Sequence, residues 1–144
     1  MLESCPGQRS YARIADPKAS TAIIEGLFTE LGIQDRVTRV SDNVWSLQKG
    51  SATVQIVAAP EFVVATSRVA EKLPAQNREG FFRMLLAANV QLLGAFFTLE
   101  SNETIRINQV LPVDWLQAKE LAFIIGNVAT KADEWDDRLK ALTT

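Results

Sequence analysis

Residues Phe81 to Pro112, FFRMLLAANVQLLGAFFTLESNETIRINQVLP, constrain the fold more than any other part of the chain. They read as an apolar helix, a break at Gly94 and a two-stranded hairpin. Phe82, Leu85, Leu86, Asn89 and Leu93 share one helical stripe, and Phe81, Ala88 and Leu92 adjoin it. This helix, from about Gln76 to Leu93, is thus apolar around most of its circumference and should be the most buried of three. Past Gly94 the period changes from helical to two. Ala95, Phe97 and Leu99 share one face, and Phe96, Thr98 and Glu100 the other. Ser101-Asn102-Glu103 makes a turn, and Thr104 to Leu111 returns with Ile105 and Ile107 inward. Asn89, Gln91 and Gly94 interrupt the apolar run, and Arg83 and Glu100 bound it. A bilayer span needs about 20 clean apolar residues, so the segment is read as core and no membrane insertion is expected.

Upstream, Asp16-Pro17 starts a helix well, because Asp caps free N–H groups and Pro suits the first helical position. Ala19, Ile23, Leu27 and Leu31 recur at four-residue spacing, with Ile24 and Phe28 beside them, and Gly32 stops the helix. Val37 to Val40 is a possible short strand. Val44 to Lys49 and Ala52 to Ala59 alternate around a Gly50-Ser51 hairpin turn. Phe62 to Val69 is the third strand and begins apolar on both sides. Such a strand is either covered on both faces or offers one to a partner, and the first is the expected case. Asp114 is expected to cap a last helix of about 28 residues, on the order of 40 Å long. Residues 1–16 read as an N-terminal arm and 17–144 as one domain. The order helix, three strands, helix, two strands, helix gives an α+β fold, α-β-β-β-α-β-β-α, with an antiparallel sheet packed against helices.

Composition removes several kinds of activity. The chain has 144 residues, 15 basic and 17 acidic side chains, and no histidine. The charge balance gives no electrostatic reason to expect nucleic acid or an anionic membrane. Without histidine there is no Ser-His or Cys-His nucleophile and no usual zinc ligand. Cys5 is the only cysteine. An intramolecular disulfide is therefore impossible, which fits a reducing, cytoplasmic compartment. The first sixteen residues, MLESCPGQRSYARIAD, show no secretory signal. Asp133, Glu134, Asp136 and Asp137 sit at adjacent helical positions that do not converge on one ion, so they read as a solvated face. Glu100 and Glu103 flank a hairpin turn, where nothing would shift a carboxylate. No phosphate-binding glycine motif is present. No catalytic residue, metal or cofactor is expected, and Asn89 is read as a satisfied core amide.

What remains is binding. Phe96 is an aromatic on an otherwise polar strand face, beside Thr98. Either a helix or loop covers that face, or Phe96 and Thr98 are a dimer or partner contact. Phe62, Val63 and Val64 could line a groove for an extended peptide, with a free sheet edge adding hydrogen bonds.

Three local patterns are familiar. Leu85-Leu86-(x2)-Asn89 precedes Gly94-Ala95-Phe96. Ile105-Arg106-Ile107 leads to Leu111-Pro112. Ala132-Asp133-x-Trp135 is followed by Leu139. In this order they resemble the type III secretion chaperone-like superfamily, in its sensory-regulator and uncharacterised bacterial branch, over residues 17–142. The resemblance implies a non-enzymatic homodimer that binds another protein or peptide, chaperone- or adaptor-like. In the secretion branch such dimers hold an extended effector segment along apolar grooves. The partner is not named by any motif. The alternative is a sensory domain with a small apolar ligand between the sheet and the second or third helix.

Overall fold

Alternation over residues 44–70 does become a sheet, and a larger one than expected. The computed structural model describes residues 17–143; the arm 1–16 and Thr144 lie outside the described residues. In chain order the elements are α1 (Pro17–Glu30), β1 (Thr38–Ser41), β2 (Val44–Lys49), β3 (Ala52–Ala58), β4 (Phe62–Ala70), α2 (Arg78–Ala88), β5 (Phe96–Leu99), β6 (Ile105–Pro112) and α3 (Ala118–Thr143). The strands form one six-stranded sheet in the order β1-β2-β3-β4-β6-β5. Every neighbouring pair is antiparallel, so the α+β class holds.

Three expectations are corrected. Four strands precede α2 rather than three, because Thr38–Ser41 pairs with β2. All four of its residues are exposed, so no apolar alternation marks it. The second helix ends at Ala88, not Leu93, and tightens into a 3-10 turn at Asn89–Gln91. Asp114 does not cap the last helix. It lies in a 3-10 turn, Val113–Trp115, and Leu116 is extended before α3 begins at Ala118.

Register places Trp45, Ile56 and Ala65 side by side across β2, β3 and β4. All three are buried, and they define the face that carries the helices. On it, α1 lays Phe28 edge-on to Trp45, with ring centroids 5.7 Å apart. Trp45 Nε1 donates to Glu25 Oε2 at 3.3 Å, which meets the polar need of a buried indole. The most buried helix is α3, with Leu121, Ile124, Val128 and Leu139 all fully enclosed. That corrects the expectation for α2, which buries only Phe81, Leu85 and Ala88.

Two irregularities shape the sheet. Pairing between β3 and β4 covers only Gln55–Ala58 against Val63–Thr66. Beyond that point the Ser67 hydroxyl donates to the Thr53 carbonyl at 2.8 Å, standing in for the ladder. At the outer edge, β1 carries a bulge between Arg39 and Ser41. The Arg39 guanidinium also donates to the carbonyls of Ser41 (3.1 Å) and Asp42 (2.7 Å).

Candidate functional site

The opposite face of the sheet carries no described helix. Val44, Val57, Val64 and Val110 stand in one row across four strands, set by the register of β2, β3, β4 and β6. Phe62, opposite Pro112, adds an apolar pair in the neighbouring row, two residues along β4 from Val64. The row on the other side is polar, with Ser46, Gln55, Thr66 and Asn108, and Phe96 completes it on β5. The Thr66 hydroxyl is buried there with no hydrogen-bond partner among the described residues. An orphaned hydroxyl costs free energy unless something covers and satisfies it.

All four candidate contact residues, Phe62, Val64, Phe96 and Thr98, point to this open face. Their surroundings differ. Phe62 is 43% exposed, whereas Val64, Phe96 and Thr98 are half-buried. The Thr98 hydroxyl accepts from Asn108 Nδ2 at 2.6 Å, so it is already engaged. Phe62 and Phe96 sit two strands and four residues apart, about 16 Å from strand spacing and rise, too far for one shared contact. Among the described residues, helices pack on one side of β4 only, and the apolar side chains of its other side, Phe62 and Val64, are exposed and half-buried.

A second surface was not anticipated. Along α2, the turn after it and β5, Leu86 is 69% exposed, Val90 86%, Leu93 63% and Leu99 51%. Leu86 and Val90 are four residues apart, on one face of the helix and its 3-10 extension. Beside them a largely apolar cleft of about 290 Å³ opens between α2 and β5, lined by Phe82, Leu85, Leu86, Phe97, Leu99 and Ile105 together with the candidate residue Thr98. Among the described residues, edge strand β5 pairs with β6 alone. The signal was present in the all-round apolarity of the second helix. It was assigned to the core because periodicity does not say what covers a face. Trp115, in the 3-10 turn before α3, is 70% exposed as well.

Little here supports chemistry. Glu100 pairs with Arg106, and Glu103 with Arg78 at 3.0 Å. Asp133 accepts from the Ser51 hydroxyl and so ties the β2–β3 turn to α3. Among the described residues, no three His, Cys, Asp or Glu side chains are grouped to hold a metal ion. Among them too, no helix is long and apolar enough to cross a membrane. Asn89 is satisfied as expected, its Oδ1 accepting from Phe97 N at 2.9 Å.

No protein-family model and no curated protein matches the sequence. Solved structures do match. A chain of the ExsC–ExsE complex is similar with a TM-score of 0.63 at 14% identity, over 85% of this chain and 95% of that one. A chain of the heterodimeric ExoU–SpcU complex, from the type III secretion system of Pseudomonas aeruginosa, reaches 0.66 at 11% identity, over 82% and 98%. The Yersinia pestis structure of the type III secretion chaperone SycH with a fragment of YscM2 gives 0.59 at 18%, over 81% and 98%. The chain thus has the type III secretion chaperone-like fold.

Proposed function

We propose that this chain is a non-enzymatic, chaperone- or adaptor-like module that binds another protein and works as a homodimer. The observation that carries the reading is the unpartnered apolar strip Leu86, Val90, Leu93 and Leu99 at the α2–β5 edge. A chain that places such side chains in one strip on its surface gains by covering them. Similar folds solved in complexes with other proteins support the binding role. The two surfaces divide the work. The α2–β5 edge meets a second copy. The open sheet face, with Phe62, Val64 and the valine row, receives a segment of the protein partner.

Light scattering on the full chain should give twice 15.9 kDa. Cross-linking in the native cell should map a partner segment onto Phe62 and Val64. A strict monomer with no cross-links to that face would overturn the reading.

One observation favours the sensory alternative: the apolar cleft lies between the sheet and the second helix, where that reading puts a ligand. Its volume of about 290 Å³ is at the lower limit for a small-molecule site. A thermal shift with an apolar metabolite, lost in Leu85→Trp, would support it.

A further inference from the structure

Leu92 to Ala95 form a turn closed by the bond from Ala95 N to Leu92 O at 3.1 Å. Both central residues have positive φ, 55° at Leu93 and 93° at Gly94, as in a type I′ turn. Glycine suits its place. Leucine does not, because its Cβ crowds the left-handed conformation that Asn, Asp or Gly would adopt easily. Leu93 is also 63% exposed, so packing within the chain does little to offset that strain. A strained residue held in place by its surroundings is a reason to look for a function.

Two buried amides do the holding. Asn127 of α3 is 8% exposed and Gln109 of β6 is 7% exposed. Asn127 Nδ2 donates to Leu92 O at 2.9 Å and to Gln109 Oε1 at 2.8 Å. Gln109 Nε2 in turn donates to Leu93 O at 3.3 Å. The amide also packs on the turn, since a Cβ added at Gly94 would stand 3.0 Å from Gln109 Nε2. Two successive carbonyls of the turn are thereby fixed from the interior.

We infer that Gln109 and Asn127 are positioning residues, fixing the turn so that Leu93 stands out as an anchor for a second copy of this chain. The inference rests on the homodimer reading. A second copy fits because the surface carries both halves of a contact. Leu93 protrudes, and the cleft between α2 and β5 is apolar with no charged residue in its lining. A protruding leucine and an apolar recess on one surface can each receive the other from a second copy, and a two-fold arrangement closes that contact at a pair.

The test uses Leu93→Asn and Leu93→Gly in the full chain, followed by analytical ultracentrifugation. Both replacements accept positive φ and remove the anchor. The dissociation constant of the dimer should rise roughly tenfold or more, the scale of a lost hot spot. In a Leu86→Glu background that does not associate, the urea midpoint should stay the same or rise. Unchanged association, or a fallen midpoint, would overturn the inference and leave the homodimer reading standing. A wild-type chain that is monomeric at every concentration would overturn both. Gln109→Met should weaken association by itself and add nothing in the Leu93→Asn background. An additive loss would mean that Gln109 acts on structure generally rather than through Leu93.

Discussion

Phe97 meets Trp135 edge-on, with ring centroids 5.1 Å apart and planes at 81°. Trp135 is 4% exposed, and the Arg138 guanidinium lies over the same indole at 3.9 Å. This pair fastens edge strand β5 to the last helix. Trp135→Ala should cost about 3–5 kcal/mol through lost burial and the cavity left behind. Urea denaturation checks the magnitude. Trp135→Phe, which keeps an aromatic against Phe97, should cost well under half as much.

Ser67 should matter more than a small strand residue usually does. Its hydroxyl bonds Thr53 O where the β3–β4 ladder has stopped. Ser67→Ala leaves the Thr53 carbonyl short of a donor and should cost on the order of 1 kcal/mol. Amide exchange should quicken around residues 52–54 and 67–70 while the rest of the sheet keeps its protection.

Charge placed on the α2–β5 edge should separate association from folding. Leu86→Glu or Val90→Glu alters a side chain that is 69% or 86% exposed, so the fold should keep its stability to within about 0.5 kcal/mol. The measured mass should fall from twice 15.9 kDa to 15.9 kDa, with an unchanged far-ultraviolet spectrum.

The open face should behave in the opposite way. Phe62→Ser with Val64→Ser should abolish cross-links to the partner protein and leave the mass of the dimer intact. Its cost in stability should remain under about 2 kcal/mol, because Phe62 is 43% exposed already. Loss of both properties together would show that one surface serves both purposes.

Much of the fold was legible because it rests on local pattern. Trp45 and Leu47 against Val54 and Ile56 alternate cleanly, and Gly50 supplies the positive φ, 63°, of their turn. Strand β1 was legible only as the possible strand Val37 to Val40, since its four exposed residues carry no apolar pattern. The end of α2 was misplaced because Val90, Leu92 and Leu93 continue an apolar helical stripe on paper. In the molecule Leu92 is buried at 1% exposure, Leu93 is left-handed and Val90 faces outward. No residue preference announces a leucine in that conformation. It depends on Gln109 and Asn127, which are distant in sequence. The double-sided character of Phe62 to Val64 was visible. Which side the helices would take was not, because the alternation is the same whichever face is covered.

The two rims of the sheet are unequal. Strand β1 is bulged, and Arg39 takes the carbonyl of its last residue, Ser41, and that of Asp42 beyond it, so a neighbouring strand finds no straight rail to pair with. Strand β5 keeps unbroken register with β6 over Phe96 to Leu99; on its outer side Asn89 takes the Phe97 N–H, and no described strand lies beyond it. A sheet with one usable rim can be lengthened once, head to head, and then has only blunt ends left. Such growth stops at a pair instead of running on into a fibre.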